Sequence, residues 1–373
     1  MLIGIDFREA LGKRAGKGYY AYHLISEILK HDRENQYILY TSKPTQEFEK
    51  YSNVSVKVIT KKSLLWHLAV LKNLYKDNVQ AFFSPTSYII PAWHDPRKLK
   101  VVMTVHDLVA FLFPDIHNKK AMFIERIFLK RALEKVVHIF AVSLNTKRDL
   151  ITQFFIPNEL VSVVHNAASE NFKVIPKEEL KDFAAENRLP EKFIFSAGTL
   201  EPRKNFSMLI RSFSQVLKEF PDYKLLIAGS KGWYYDEIFE TVSELNLENN
   251  VKFLGYVTEE ELEKLYNLAE IFVWPTVYEG FGIPPLEAMK CGCPVITSNT
   301  SSLPEVVGEA ALKINPKKEK DLTEAIINLL KNSGLRDELK KKGFDQAQKF
   351  SWEKSAKDVI KFFNKLDEKA ETV

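Results

Sequence analysis

Short apolar runs alternate with amphipathic stretches along the first half of the chain. Residues 2–5 predict a strand, and the apolar side chains that follow recur at the spacing of one helix face. Further apolar runs predict strands at residues 37–41, 54–59, 79–83, 100–105 and 136–142. Strands that alternate with helices are typical of a parallel, doubly wound α/β sheet.

The same alternation resumes after a charged stretch at residues 170–191, which holds two prolines. Apolar runs predict the strands of a second sheet at residues 193–197, 223–228, 251–254, 271–274 and 294–297. We therefore expect two Rossmann-like domains, residues 1–168 and 169–350, that face a cleft for a small molecule. A last helix, within residues 351–373, is expected to cross back onto the first domain.

Composition limits the class of protein. A chain of 373 residues suits two domains, and 45% apolar with 27% charged residues is typical of a soluble globular protein. The formal charge of +4 fits an anionic small ligand or an acidic membrane surface and is too weak to indicate nucleic acid. No zinc-finger, RNA-recognition or helix-turn-helix signature is present, so we expect no nucleic-acid partner.

The two cysteines and the N-terminus bear on the compartment. Cys291 and Cys293 match neither a redox C-x-x-C motif nor a zinc cluster, and we interpret them as packing residues in a reduced compartment. The sequence begins directly in a strand, without a visible signal peptide, and no apolar run is long enough to span a bilayer. We expect a cytoplasmic protein that at most rests on the inner face of the membrane.

Residues 61–76 and 119–135 are basic and amphipathic. Their apolar positions are Leu64, Trp66, Leu68, Leu71 and Tyr75 in the first segment and Ile124, Ile127 and Phe128 in the second. Either each segment is a helix that turns these side chains to the core and its charges to solvent, or the segments lie on anionic lipid.

The loop after the first strand is rich in glycine and basic side chains. Its members are Gly12, Gly16 and Gly18 beside Lys13, Arg14 and Lys17. The order G-x-x-x-G-x-G differs from the dinucleotide fingerprint and gives little support to NAD binding. The loop is either solvated or in contact with an anion.

His106 and Asp107 directly follow the run at residues 100–105. In open α/β sheets ligands bind at the carboxyl ends of the strands, so His106 is placed to meet a ligand. A structural histidine is the alternative.

Two glutamates, Glu279 and Glu287, flank a glycine- and proline-rich stretch after residues 271–274. Prolines suit the first turn of a helix, which puts Glu279 in the loop and Glu287 one turn into the helix. Gly280 and Gly282 permit close approach to the backbone, and a helix N-terminus is a site for phosphate. The stretch predicts a site for a phosphorylated ligand. The alternative is a solvent-facing turn in which Glu287 complements the helix dipole.

Arg203 and Lys204 follow the strand at residues 193–197, and we expect them to begin a helix. Their cations and that helix N-terminus can address one anion, beside the Glu279 stretch at another strand end of the same sheet. This combination predicts a diphosphate site. No Asp-x-Asp sequence is present, so the common metal-binding motif for a diphosphate is missing.

Over nearly its whole length the sequence resembles glycosyltransferase family 4, the retaining sugar transferases of the GT-B fold. The matching motifs are Gly16-Lys17-Gly18, His106-Asp107, the stretch from Gly198 to Asn205, and the E-x7-E stretch followed by Cys293-Pro294-Val295-Ile296. One departure is Thr199, because many members carry an arginine directly after this glycine.

The resemblance implies a role for each matching residue. Arg203 and Lys204 would hold the nucleotide diphosphate. Glu279 would face the donor sugar, Glu287 the ribose and His106 a donor hydroxyl beside the anomeric carbon. The other residues expected at the binding site are Gly16, Gly18, Gly198, Gly280, Phe281 and Gly282.

The resemblance also implies an activity: transfer of a hexose with retention of anomeric configuration, without a metal or other cofactor. The first domain would bind the acceptor and the second the nucleotide-sugar. The stretches at residues 198–205 and 229–233 are similar to a mannosyltransferase branch that builds bacterial surface polysaccharides from GDP-mannose. We therefore expect a mannosyl donor and a glycan or lipid-linked acceptor. Alternatives are rhamnosyl or glucosyl transfer from dTDP- or UDP-sugars, and an inactive nucleotide-sugar-binding partner subunit.

Overall fold

The computed structural model describes residues 1–12, 16–48 and 50–371, and side chains up to residue 368 in the last helix. Lys13 and Arg14 of the glycine-rich loop lie outside these residues. The chain divides into two compact units. Unit 1 comprises Met1–Leu112, Lys119–Asn166 and Ser351–Val373, and unit 2 comprises Phe113–Asn118 and Ala167–Phe350. The short segment Phe113–Asn118, which the sequence placed in the first domain, belongs to the second unit.

Unit 1 is built on a parallel seven-stranded sheet in the order β3-β2-β1-β4-β5-β6-β7. Its strands are β1 (Leu2–Asp6), β2 (Gln36–Thr41), β3 (Val54–Val58), β4 (Ala81–Ser84), β5 (Lys100–Val105), β6 (His138–Ala141) and β7 (Val161–Val163). Its helices are α1 (Lys17–His31), α2 (Ser63–Lys76), α3 (Ile89–Trp93), α4 (Val109–Leu112), α5 (Lys119–Leu133), α6 (Leu144–Phe154) and α15 (Trp352–Glu371). The central strands are buried along almost their whole length, as expected for a parallel sheet covered on both faces.

The C-terminal helix α15 packs on α1 within unit 1. The rings of Tyr20 and Trp352 meet at 5.9 Å between centroids, and the Ser355 hydroxyl donates to the His165 carbonyl at 2.6 Å. The predicted return of the last helix to the first domain is confirmed.

Unit 2 repeats the plan with a parallel six-stranded sheet in the order β10-β9-β8-β11-β12-β13. Its strands are β8 (Phe193–Ala197), β9 (Lys224–Ala228), β10 (Val251–Gly255), β11 (Ile271–Trp274), β12 (Val295–Ser298) and β13 (Ala311–Ile314). Its helices are α7 (Lys181–Glu186), α8 (Phe206–Val216), α9 (Asp236–Glu244), α10 (Glu259–Leu268), α11 (Ile283–Lys290), α12 (Leu303–Val307), α13 (Glu319–Lys331) and α14 (Ser333–Ala347). Cys291 and Cys293 are buried free thiols in this unit.

The strand order reverses between β1 and β4 in unit 1 and between β8 and β11 in unit 2. In doubly wound sheets ligands bind outside the carboxyl ends of the strands at such a switch point. The two predicted doubly wound sheets are therefore confirmed, and each has one place where a ligand is expected.

The core-facing stripe predicted for α2 is correct only in part, because Trp66 is buried and Leu71 and Tyr75 pack against the core, but Leu64 and Leu68 do not. Leu64 and Leu68 are each 49% exposed, whereas Trp66, Val70 and Leu74, which recur every four residues, form the buried face. In α5 the exposed large apolar side chains are Phe123, Ile124 and Ile127. Among the residues described, no helix is long and apolar enough to cross a membrane.

Candidate active site

The loop after β8 is pinned against the loop after β9. Gly198 has a φ of +147°, and a Cβ placed on Gly229 would lie 1.8 Å from the Gly198 carbonyl oxygen. The backbone N–H of Leu200 donates to the Ser230 carbonyl at 2.9 Å. This close backbone contact needs glycine and fixes the start of the loop that carries Arg203.

Arg203 and Lys204 lie in the 3-10 turn Pro202–Lys204 and do not begin a helix as predicted. Asn205 follows with a left-handed backbone (φ +60°), and α8 begins at Phe206. The left-handed residue interrupts the helical path, so the two cations project from a turn that ends before the helix starts.

Lys204 is a buried cation. The aliphatic part of its side chain packs against Gly198, because a Cβ added to Gly198 would lie 3.4 Å from the Lys204 Cε. Its Nζ donates to the Glu279 Oε1 at 2.7 Å and lies 4.6 Å from the centre of the Trp274 ring. Burial, followed by the nearby Arg203 guanidinium, lowers the pKa of Lys204.

The Arg203 guanidinium lies between two carboxylates. Its Nη2 is 2.6 Å from the Glu201 Oε1, and its Nη1 is 2.6 Å from the Glu279 Oε2. Nη1 also donates to the Tyr278 carbonyl at 3.0 Å. Glu201 is buried, and its Oε2 has no hydrogen-bond partner among the described residues. Sequence reasoning missed Glu201, although it stands two residues before Arg203 in the same motif.

Glu279 is held in the loop after β11. Its backbone N–H donates to the Ser301 Oγ at 3.0 Å, its carbonyl accepts from the Ser302 hydroxyl at 2.9 Å, and the Thr276 hydroxyl is 2.9 Å from its Oε1. Burial acts to raise the pKa of Glu279, but Arg203 and Lys204 outweigh burial and hold it below its ordinary value. The carboxylate is therefore ionised.

These four side chains, Glu201, Arg203, Lys204 and Glu279, form a charge cluster at the switch point of the unit 2 sheet. Two cations face two carboxylates, so their charges balance. A diphosphate that takes the cations must replace the Glu279 carboxylate as their partner.

The glycines after Glu279 shape the start of α11. Gly282 has a φ of +110°, and a Cβ there would lie 2.7 Å from the Leu303 Cδ2, so a side chain is excluded. Gly280 precedes it in the same loop. The Phe281 ring is buried against Phe350 at 5.5 Å between centroids. The Phe281 ring is therefore part of the unit 2 core.

Glu287 lies one turn into α11, as predicted. Its Oε2 accepts a hydrogen bond from the Tyr266 hydroxyl at 3.1 Å. Burial raises the pKa of Glu287 to about 8, so the carboxyl is mostly protonated at neutral pH. Glu279 and Glu287 thus differ in charge although they stand on the same stretch.

In unit 1, His106 follows β5, and its Nε2 lies 2.7 Å from the Pro85 carbonyl. The Tyr20 ring meets it edge-on at 4.7 Å between centroids. Burial, followed by the Lys17 charge, lowers the pKa of His106 to about 4.

Gly16 immediately precedes α1 with open space around it, and Gly18 is buried in the first turn of α1. In the part of the chain that is described, no group of three or more His, Cys, Asp or Glu side chains is arranged to hold a metal ion.

Comparisons with known proteins place the chain in a family. Residues 16–171 match the family described as Glycosyltransferase Family 4, and residues 177–346 match Glycosyl transferases group 1. O-antigen chain mannosyltransferase B of Escherichia coli is 32% identical over 295 residues, which are 78% of this chain and 75% of that protein. The chain belongs to glycosyltransferase family 4.

Two further proteins are similar to this family 4 glycosyltransferase, one in sequence and one in fold. The serotype-specific mannosyltransferase WbdA of Escherichia coli is 32% identical over 288 residues, which are 75% of this chain but 35% of that longer protein. Sucrose-phosphate synthase from Thermosynechococcus elongatus superposes with a TM-score of 0.78 over 98% of both chains at 19% identity. At this identity the likeness concerns the fold, and the predicted GT-B class is confirmed.

Proposed function

We propose that this glycosyltransferase moves a mannosyl residue from GDP-mannose to a glycan or lipid-linked acceptor in the synthesis of a cell-surface polysaccharide. The two Escherichia coli relatives named above are mannosyltransferases, and one name specifies the O-antigen chain. The observation that carries the proposal is the convergence of Arg203 and Lys204 on Glu279 at the switch point of the unit 2 sheet.

The chemistry follows from the charge that develops on the leaving group. Breaking the bond between sugar and phosphate loads negative charge onto the diphosphate, which fixed cations stabilise in a buried site. Arg203 and Lys204 supply this charge in our proposal, and no metal ion is required. The configuration is retained by attack from the same face, in which the leaving phosphate accepts the proton of the acceptor hydroxyl.

The other site residues orient the donor. We propose that Glu279 accepts a hydrogen bond from the donor sugar and that Glu287 contacts the ribose. His106 would accept from a donor hydroxyl through Nδ1. The backbone at Gly16, Gly18, Gly198, Gly280 and Gly282 would allow close approach of the donor.

Peripheral contact with an anionic membrane is a further part of the proposal. The exposed side chains Leu64, Leu65 and Leu68 of α2 stand beside lysines at the start of that helix, and α5 repeats the combination. Both helices pack against one hydrophobic cluster, so they cover the same face of the unit 1 sheet. Apolar side chains flanked by cations are suited to the headgroup region of anionic lipid.

The test is a calorimetric binding panel on the purified protein with EDTA present. GDP-mannose is compared with UDP-glucose, UDP-N-acetylglucosamine and dTDP-rhamnose. Selective binding of GDP-mannose is the expected result. Preference for another nucleotide-sugar would replace mannose with the sugar of that donor, and no binding of any of the four would contradict the proposed donor site. Binding without transfer to any acceptor would favour the inactive nucleotide-sugar-binding subunit.

A further inference from the structure

Glu201 is a buried carboxylate beside the cations of unit 2, but the proposed chemistry does not use it. Its side chain is 2% exposed, whereas that of Glu279 is 10% exposed. Taking a carboxylate out of water is costly unless the group is paired, and the Arg203 Nη2, at 2.6 Å from the Glu201 Oε1, supplies the pair. The other oxygen, Oε2, has no hydrogen-bond partner among the described residues. A buried carboxylate with one unsatisfied oxygen stabilises a loop poorly, so its pairing with Arg203 needs another explanation.

Glu201 also fixes the turn that carries Arg203. Its backbone is extended, and its carbonyl accepts from the Lys204 N–H at 3.1 Å, so the 3-10 turn begins directly after it. The Arg203 carbonyl accepts from the Thr276 hydroxyl and the Val277 N–H, each at 2.9 Å. The loop after β11 therefore holds the Arg203 backbone, and Glu201 holds its guanidinium.

Glu201 and Glu279 contact different nitrogens of the Arg203 guanidinium. Glu201 pairs with Nη2, whereas Glu279 pairs with Nη1 at 2.6 Å. The Tyr278 carbonyl also accepts from Nη1, at 3.0 Å. A diphosphate that arrives from solvent meets the more exposed carboxylate, so it can replace Glu279 at Nη1. The covered Glu201 carboxylate can stay on Nη2 throughout.

We propose that Glu201 is a positioning residue, which holds the Nη2 edge of Arg203 so that Nη1 faces the diphosphate. The proposal rests on the proposed transfer function and adds the residue that directs this cation. An arginine has many rotamers, and a carboxylate that holds one edge of its fork limits them before the anion binds. By charge alone any carboxylate here would oppose anion binding. Glu279 competes with the diphosphate for the cation, whereas Glu201 supports the diphosphate.

Glu201→Asp tests the proposal, because it keeps the negative charge and withdraws the carboxylate by one methylene group from Nη2. Calorimetry with inorganic pyrophosphate in EDTA should show binding weakened at least about fivefold, the effect expected for loss of a hydrogen bond to a charged group. A role of Glu201 through its charge alone predicts the wild-type affinity instead. An unchanged or tighter affinity would overturn the proposal.

A double-mutant cycle separates positioning from a structural role in the turn. Arg203→Lys keeps the positive charge but replaces the guanidinium fork with a single nitrogen. In that background Glu201→Asp should change the pyrophosphate affinity by less than about twofold, because no second edge of a fork remains to be held. An equal loss of affinity in both backgrounds would assign Glu201 to the structure of the turn and refute the positioning role.

Glu270→Asp is the matched control. Glu270 pairs with Arg336 at 2.9 Å and directly precedes β11, whereas Glu201 follows the parallel neighbour β8, so the two pairs lie at opposite edges of the unit 2 sheet. The control should keep the wild-type affinity for pyrophosphate, and a loss as large as that in Glu201→Asp would count against positioning. If the wild type itself does not bind pyrophosphate, the diphosphate site and the proposed function fail together. If the wild type binds and Glu201→Asp binds equally well, only this inference fails.

Discussion

His106 donates a hydrogen bond of 2.7 Å from its Nε2 to the backbone carbonyl of Pro85. Because a carbonyl only accepts, the proton resides on Nε2, and in the neutral ring Nδ1 is an acceptor. Burial, followed by the Lys17 charge, lowers the pKa of His106 to about 4, so the ring is neutral at physiological pH. His106 is therefore equipped to accept a hydrogen bond from a hydroxyl and not to act as a general acid.

His106→Ala should lower the rate of sugar transfer at least about tenfold through loss of this acceptor. The rate of the wild type and the rate of His106→Ala should depend on pH in the same way between about pH 5.5 and 8, because the neutral His106 ring does not titrate in this range. Initial rates of the wild type and the variant across that range check both statements. A wild-type titration near pH 6.5 that vanishes in the variant would contradict the assignment.

Glu279→Gln should bind inorganic pyrophosphate more tightly than the wild type while transfer falls at least about tenfold. The Glu279 carboxylate pairs with both Arg203 and Lys204, so its neutralisation leaves Lys204 without an anionic partner and Arg203 with Glu201 alone, and the net charge of the cluster rises by one. Calorimetry with pyrophosphate in EDTA is expected to show a Kd lowered about fivefold or more.

Glu309→Gln is the matched control for this prediction, because it removes the same charge from an exposed pair with Lys313. Its pyrophosphate affinity should equal that of the wild type. Weaker binding in Glu279→Gln would mean that the carboxylate supports the anion site and does not occupy it.

The sheets were predictable where a strand is a mostly apolar run that is buried along its whole length. β8 and β11 begin and end at the predicted residues, because every position in each is buried. β13 was missed since Lys313 interrupts a four-residue run at the edge of the sheet. Leu64 and Leu68 of α2 were assigned to the wrong face because both sides of the helix carry apolar residues, and only tertiary packing decides which of them is buried.

The candidate site was predictable only in part. Strand ends and glycines indicated where Arg203, Lys204 and Glu279 stand, because the carboxyl ends of parallel strands meet at one edge. The pairing of Arg203 and Lys204 with the Glu279 loop depends on contacts between residues 75 or more positions apart in the sequence. The burial of Glu201 depends on tertiary packing, which no local sequence pattern indicates. The helix start at Arg203 was wrong because the left-handed backbone of Asn205 has no periodic signature.

Gly282→Ala should destabilise the protein by roughly 2–4 kcal/mol, because the new Cβ meets the Leu303 Cδ2 at 2.7 Å in a left-handed backbone. Gly255→Ala provides the control: Gly255 also has a positive φ, +72°, but nothing lies within 4 Å of the added Cβ. That variant should cost about 1 kcal/mol. Urea unfolding of both variants gives the comparison, and equal losses would show that strain alone, without the clash, sets the cost.

Glu287 should make the protein less stable as the pH rises. Burial raises its pKa from 4.5 to about 8, so between these values the folded state binds a proton that the unfolded state has released. Stability contributed by this group is full below about pH 4.5 and is lost as the pH rises through about 8. Glu287→Gln should flatten this dependence by roughly 1–3 kcal/mol, measured by urea unfolding at about pH 5.5 and 8.5. Glu260→Gln, at an exposed pair with Lys264, should follow the wild type.

Replacing exposed apolar side chains of α2 and α5 should weaken membrane binding. Leu65 is 63% and Phe123 65% exposed, so Leu65→Glu with Phe123→Glu removes apolar contact and adds negative charge without disturbing the core. In a flotation assay the wild type should rise with vesicles that contain anionic phospholipid, and the double variant should bind at least about fivefold less. Phe155→Glu, at a position 86% exposed after α6, is the control and should bind like the wild type. Each introduced glutamate also repels an anionic surface, so an equal loss of binding in the control would show that general charge, and not the α2 and α5 surface, governs binding. If the wild type stays at the bottom of the gradient, membrane contact is removed from the proposed function.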